Sequence, residues 1–321
     1  MRKKFAILFF FIAFFLFSLQ SVHAFSFAVI GDTQKFKTGK RGKLQSAAKN
    51  IKSLGVDFSI SLGDICNGPA TKCPKKILKW KKITYQLFPK MYAVMGNHDL
   101  VDFEFWQSVF NSPLNGPAEF LGTVFSFDFE DSHFIVLNAE KPIQHVISAS
   151  QLNWLEEDLA RNTKSNVFVF FHEPAFPAKH KVGSSLDAYP ESRDALWEIL
   201  DRHGVTAVFS GHEHITARRK IDSNVFSGAS NSIYQFIVGN TAAYSHQKPN
   251  SDVVEYFTRE KSFAVVDVEG NRVTVNIFGI NGKMLNSFSF LKSVSAPNSL
   301  PEESDNPIET ETQNQDTFSW Q

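Results

Sequence analysis

Five short blocks, each closing an apolar run, constrain this 321-residue chain more than any other feature. They are Gly31-Asp32-Thr33-Gln34, Gly63-Asp64-Ile65-Cys66-Asn67, Gly96-Asn97-His98-Asp99, Phe171-His172-Glu173-Pro174 and Gly211-His212-Glu213-His214. The runs before them, Phe25 to Ile30, Val56 to Leu62, Met91 to Met95, Val167 to Phe171 and Val205 to Phe209, read as buried strands. Helical patterns separate them. Leu44, Ala47, Ala48, Ile51 and Leu54 share one helix face, and Ala195, Leu196, Ile199, Leu200 and His203 share another that Gly204 stops. Strands alternating with helices imply an α/β chain with a largely parallel sheet. Open sheets of this kind collect their sites just past the carboxyl ends of the strands, where all five blocks fall.

Asp, Asn and His are oxygen and nitrogen donors suited to divalent transition metals, and the glycines beside them let the backbone turn sharply and come close. Taken singly, each block is weak evidence. An Asp after a strand is commonly a turn residue or helix cap, and an isolated His172 is more often a satisfied core histidine. Five such blocks in order, each ending a strand, form a metal-ligating pattern. His212 and His214 would face opposite sides of a strand, yet on the loop after it they can converge on one cluster.

The remaining chain supplies the frame. Phe125, Phe127 and Phe129 alternate, Asp131-Ser132 turns, and Phe134 to Leu137 returns, so Val124 to Asn138 reads as a hairpin. Ser148-Ala149-Ser150-Gln151 offers a capping box for a helix carrying Leu152, Leu155 and Leu159. Lys75, Lys76, Lys79, Lys81 and Lys82, after Pro74, look like the wet face of a helix. Strands around Phe236, Phe263 to Val268 and Val273 to Phe278, with turns at Glu269-Gly270-Asn271 and Asn281-Gly282, suggest a second, mostly antiparallel sheet. The 26 Phe residues beyond Ala24 are unusually many, and most of them read as core.

The ends have their own character. Arg2, Lys3 and Lys4 precede an apolar run, Phe5 to Leu19, that closes on Ser21-Val22-His23-Ala24. Residues 1–24 therefore read as a signal peptide cut after Ala24, with an uncleaved anchor as the rival reading; cleavage predicts an exported protein, periplasmic or secreted, with no membrane span once the leader is gone. Residues 293–321 carry six acidic residues and no Lys or Arg, and read as a disordered acidic tail able to dock a partner. Between the ends, residues 25–292 suffice for one large domain. Lys plus Arg equal Asp plus Glu over the whole chain, and removing the basic leader and acidic tail leaves the body only slightly positive. That is too little for a nucleic-acid groove, so no nucleic-acid partner is expected. Cys66 and Cys73, the only cysteines, suit a small-loop disulfide in an oxidising compartment. Two free thiols or a soft-metal site are the rival readings, and the absence of an adjacent His speaks against the metal.

Taken together the five blocks resemble the signature of the calcineurin-like metallophosphoesterases. The hairpin, the Gln151 to Leu159 helix and the carboxyl-terminal strands further resemble the purple acid phosphatase-like branch. The resemblance implies an α/β, four-layer α-β-β-α sandwich with two mixed sheets. It also implies two divalent or transition metal ions, Mn, Fe or Zn, with Asp64 bridging them, Asp32 and His214 on the first, and Asn97, His172 and His212 on the second. His98 would face the scissile phosphate, and Asp99 would orient its imidazole or serve as a structural turn. The reaction implied is hydrolysis of a small phosphate ester, monoesters favoured, by attack of a metal-bridging hydroxide; a nucleotide diesterase and a non-catalytic metal-stabilised module are the alternatives.

Two positions depart from the pattern. Many members have His two residues after the first Asp, where this chain has Gln34, and the purple enzymes have Tyr three residues after the second, where it has Asn67. The first metal is thus short of one strong ligand that the Gln34 amide oxygen or water would replace, so a weaker first ion and no tyrosinate colour are predicted. His180, Lys181, Tyr189, Arg218 and Arg219 each read first as solvated surface groups, with reach toward a substrate as the alternative.

Overall fold

The computed structural model describes residues 24–36, 42–85, 90–245, 249 and 253–292, so the tail and all of the leader except Ala24 lie outside the described residues. The first half of the chain alternates as the apolar runs predict: β1 (Phe25–Ile30), α1 (Lys43–Leu54), β2 (Phe58–Ser61), α2 (Cys73–Tyr85), β3 (Lys90–Ala93) and α3 (Phe103–Phe110). The hairpin β4 (Phe125–Phe129) and β5 (Ser132–Val136) follows, then α4 (Ala149–Arg161), β6 (Asn166–Phe170), α5 (Pro190–Arg202) and β7 (Ala207–Ser210). Six strands complete the chain: β8 (Thr216–Ile221), β9 (Ile233–Val238), β10 (Tyr256–Thr258), β11 (Ser262–Glu269), β12 (Arg272–Gly279) and β13 (Met284–Leu291).

These strands form two mixed sheets, one of six strands ordered β13-β12-β11-β1-β2-β3 and one of seven ordered β10-β8-β9-β7-β6-β5-β4. The carboxyl-terminal strands do not make a sheet of their own. β11 pairs antiparallel with β1, from Phe25 opposite Val268 to Val29 opposite Ala264, and carries β12 and β13 with it. β9 runs parallel to β7 in the other sheet. The reason is exposure: β1 is apolar on both faces and would leave a bare edge if β2 were its only neighbour.

Period-two alternation divides the core into layers. Phe27 and Val29 face the second sheet, whereas Ala28 and Ile30 face helices. Between the sheets, Phe27, Phe58, Phe134, Phe168, Phe170 and Phe209 interlock, with Phe27 stacked on Phe58 at 5.4 Å and edge-on to Phe134 at 5.3 Å. Each such ring contributes about 1.5–3 kcal/mol by burial. Outside the first sheet, Leu44, Ile51, Ile77, Trp80 and Trp106 of α1 to α3 cover one face. Outside the second, Leu155, Leu159, Leu196 and Leu200 of α4 and α5 cover the other. The result is the four-layer α-β-β-α sandwich.

Local signals act as their chemistry dictates, with two exceptions. Gly55 ends α1 at φ 71°, and the Asp102 side chain caps α3 by accepting from Phe105 N at 2.6 Å. Ser148 caps α4, but Gln151 does not reach back to complete the box. Its amide instead accepts from Asn138 N (2.9 Å) and donates to Asn138 O (2.8 Å), pinning the helix to the end of β5. On α2, Lys75, Lys79 and Lys82 are exposed as expected, but Lys76 turns inward to donate to Gln34 O at 2.6 Å.

Candidate metal centre

The carboxyl ends of β1, β2 and β3 in one sheet and of β6 and β7 in the other meet at one rim. Backbone bonds stitch the loops together there: Asp32 N to Gly63 O (3.3 Å), Gly211 N to His172 O (2.8 Å) and Thr241 N to Gly31 O (3.2 Å). Asp32, Asp64, His212 and His214 all adopt left-handed backbone, at φ 51°, 52°, 68° and 51°. Non-glycine residues rarely do so, and such conformations persist where the surroundings impose them. Here they turn side chains from separate strands toward one point. Glycines leave the room: a Cβ on Gly211 would lie 2.6 Å from Asp32 Oδ2, and one on Gly96 would lie 2.6 Å from Asp64 Oδ1.

On one side of the centre the imidazoles are oriented by carbonyls. His172 Nδ1–H donates to Leu62 O (2.7 Å) and His212 Nε2–H to Ser184 O (2.8 Å). Their other nitrogens are then lone pairs in the neutral rings. His172 Nε2 lies 3.2 Å from His212 Nδ1, 3.1 Å from Asn97 Oδ1 and 3.4 Å from Asp64 Oδ1. Four acceptor atoms thus crowd together, an arrangement that a cation satisfies and a proton-poor cluster does not. Burial first, then the neighbouring His172, holds His212 well below the usual imidazole range, which keeps it a neutral ligand.

On the other side are Asp32, His214 and Gln34. Carboxylate and imidazole atoms of Asp32, Asp64 and His214 lie within 4.8 Å of one another, the geometry of a metal-binding group. Asp32 Oδ1 stands 3.2 Å from His214 Nε2, while its Oδ2 accepts from His212 N at 2.9 Å. Gln34 does enter the centre: its Nε2 is 3.1 Å from both Asp64 Oδ2 and His214 Nε2, and half a turn of the amide puts Oε1 in that place. Asp32 Oδ1 and Gln34 Oε1 are buried without a hydrogen-bond partner. Asp64 spans both sides, Oδ1 toward His172 and Oδ2 toward Gln34. Burial, and next the charge of Asp32, pushes Asp64 well above the usual carboxylate range. The donor set fits two ions.

The structure separates the two residues expected beside the phosphate. His98 is partly exposed, its backbone N–H donating to Asp64 Oδ1 at 3.0 Å. Asp99 does not orient the His98 ring. Its buried carboxylate accepts from Ile65 N (2.9 Å), Cys66 N (2.8 Å) and Gly96 N (3.0 Å), clamping the second and third loops together. Burial, then Asp64, raises it to about 7. The structure joins Cys66 to Cys73, and Cys73 Sγ contacts His98 O at 3.5 Å, so the bridge braces the same loops.

Other residues have roles that the motifs did not disclose. Glu213, between two ligands and wholly buried, accepts from the amides of Ala178, Lys179 and Lys181. Glu173, also buried, takes His145 Nδ1 at 2.6 Å, and its other oxygen lies 4.0 Å from His212 Nε2. Burial, then Glu173, raises the nearby Glu140 well above the carboxylate range. An acidic residue inside a His-x-His block was the available signal for Glu213; nothing in the sequence marks His145 or Glu140. Of the side chains whose alternative reading is reach toward a substrate, Arg218 is committed to Glu255 (2.9 Å) and the Phe288 ring, and Arg219 to the carbonyls of Phe176 and Pro177.

The family model for Calcineurin-like phosphoesterase matches residues 25–216, which contain all five blocks. The chain belongs to this family. Human tartrate-resistant acid phosphatase type 5 is 24% identical over 301 residues, covering 82% of this chain and 89% of the human protein. A cAMP/cGMP dual specificity phosphodiesterase of Mycobacterium tuberculosis is 28% identical over 172 residues, 51% of each chain. The purple acid phosphatase PPD1 from yellow lupin shares the fold at TM-score 0.68 and 15% identity; the match covers 84% of this chain and 54% of the lupin protein. The protein is therefore a metal-dependent phosphoesterase, a hydrolase whose relatives include acid phosphatases.

Proposed function

We propose that the protein is an exported phosphomonoesterase acting on small phosphorylated substrates through two metal ions, Mn, Fe or Zn. The observation that carries this reading is the crowding of lone pairs from Asp64, Asn97, His172 and His212 against Asp32, Gln34 and His214. Asp32, Gln34 and His214 would hold one ion, Asn97, His172 and His212 the other, with Asp64 shared. When bound, such ions supply Lewis acidity and lower the pKa of coordinated water from about 16 toward 7. The chain's own residues do the rest. The carbonyls of Leu62 and Ser184 fix the tautomers of His172 and His212, so each ring presents a lone pair to the site. His98, partly exposed and anchored by its backbone to Asp64, donates a ring N–H to a phosphoryl oxygen and steadies the charge that grows there.

Export rests on residues 1–24, and the Cys66–Cys73 bridge suits an oxidising compartment. Among the described residues no helix is long and apolar enough to cross a membrane. Charge balance argues for no nucleic-acid partner, and the acidic tail remains a proposed docking segment. The mycobacterial relative favours a second reading, hydrolysis of cyclic nucleotide diesters. One paired assay decides: an aryl monoester and an aryl diester are offered to protein reconstituted with Mn, Fe, Zn or Mg in turn. Faster monoester turnover supports the proposal, faster diester turnover the second reading. Turnover of neither by metal-loaded, folded protein sinks both and leaves a metal-stabilised binding module.

A further inference from the structure

The loop that follows β6 is built onto the metal-ligand loop, and it carries a cation. Glu213 accepts from the amides of Ala178, Lys179 (2.8 Å) and Lys181 (3.2 Å), while the His212 ring donates to Ser184 O at 2.8 Å. One short block, His212-Glu213, therefore grips both ends of the segment from Ala178 to Ser184. Within it, Lys181 O accepts from Ser184 N (2.9 Å) and Ser185 Oγ (3.2 Å). The backbone of Lys181 is thus held on its N–H and its C=O. Its ammonium, in contrast, makes no ion pair or hydrogen bond with any described residue. That charge acts on Asp64, His98 and His212, which places it within electrostatic reach of the centre. Fixing a lysine backbone so fully while leaving its head group unpaired is wasteful for a merely solvated side chain. It suits a group waiting for an anion.

We propose that Lys181 is the specificity residue that favours doubly charged phosphoryl groups, and that Glu213 is the positioning residue that presents it. The inference rests on the phosphoesterase reading above and deepens it. A phosphomonoester near neutral pH carries up to two negative charges and a diester one, so an ammonium tethered by its backbone at the site's edge favours the monoester. Glu213 acts through the backbone, and replacing the lysine side chain leaves that clamp intact.

The test uses the metal-loaded full chain with 4-nitrophenyl phosphate and bis(4-nitrophenyl) phosphate. Lys181→Gln should lower kcat/KM for the monoester about tenfold to hundredfold, mostly through KM, and change the diester far less. Lys181→Arg should restore most of the loss. In a Glu213→Gln background, adding Lys181→Gln should cost little more, because the ammonium is already misplaced. An equal loss on both esters, or no loss on either, overturns the proposal. Calorimetric binding of inorganic phosphate gives an arm independent of turnover. Should the wild type hydrolyse neither ester, the function proposed above fails, while weaker phosphate binding by Lys181→Gln than by wild type still supports the assignment and equal binding refutes it.

Discussion

The two sides of the centre differ in how much of their shape exists before any ion arrives. Around Asn97, His172 and His212, carbonyl acceptors set both tautomers and hold both rings. Around Asp32, Gln34 and His214, one carboxylate oxygen and one amide oxygen are buried without hydrogen-bond partners. The first arrangement spends little reorganisation on binding, whereas the second is completed by its ligand. The comparison teaches that the departure at Gln34 is confined to one half: the half that holds His172 keeps every donor its family pattern asks for, and the asymmetry should appear as unequal grip on the two ions.

The largest effect expected is from His172→Ala, which removes the atom at the hub of the better-ordered side. Aryl phosphate turnover should fall by on the order of a thousandfold, and elemental analysis should find one ion fewer; near-normal turnover with both ions retained would break the comparison. Next comes the looser side. Gln34→His should tighten the first ion and Gln34→Ala loosen it, each by about tenfold to hundredfold on the scale of ligand-supporting changes, read as metal content after dialysis against a weak chelator. If both variants retain metal like the wild type, Gln34 is a bystander. Loss of the disulfide in the Cys66→Ser/Cys73→Ser double variant should cost about 2–3 kcal/mol of stability. It should also weaken retention of the ion at Asn97 relative to the wild type, because Asp99 binds Cys66 N and Cys73 touches His98 O. Denaturant unfolding and metal content, with and without reductant, check this.

The smallest effect is a control at the opposite end of the second sheet. His133 lies between Asp128 (2.6 Å) and Asp158 (2.8 Å), near the amino end of β6. Burial alone would lower its pKa, but hydrogen bonds and charge from the two carboxylates outweigh that and raise it. A raised folded pKa stabilises fully below the unfolded value of about 6.5, and that contribution disappears as pH rises through the folded value. His133→Gln should therefore cost about 1 kcal/mol at low pH and less at high pH, with metal content unchanged. A flat stability difference across pH 5 to 9 would refute the ion pairs, and a change in metal content would show that the two ends are coupled.

The sequence was most legible where one local pattern had one physical solution. Apolar runs ending in Gly-Asp or Gly-His must be strands that stop, and the five stops share a rim because parallel strands point the same way. What stayed hidden depends on distance along the chain. Nothing local to Phe263–Val268 says that its partner is Phe25–Val29, so the strand pattern alone suggests a separate sheet. Gln151 has the spacing of a capping box, yet a backbone segment thirteen residues earlier competes for its amide and wins. Asp99 sits beside His98 in sequence, but two amides from the loop after β2 and one from its own turn claim its carboxylate. His145 and Glu140 lie in a stretch with no periodicity, and only the fold brings them to Glu173.

The pairing of β1 with β11 fixes a birth order for the molecule. As the chain is synthesised, Phe25–Ile30 emerges among the first residues, yet one of its two edges stays bare until about residue 269 has been made. A ribosome-bound fragment ending after His214 would hold every ligand and still lack the strand that seats Asp32. Long-range closures of this kind come late. The pocket should therefore mature last, after the final third of the chain has threaded home, and nascent fragments should be protease-sensitive and unable to retain metal until that moment.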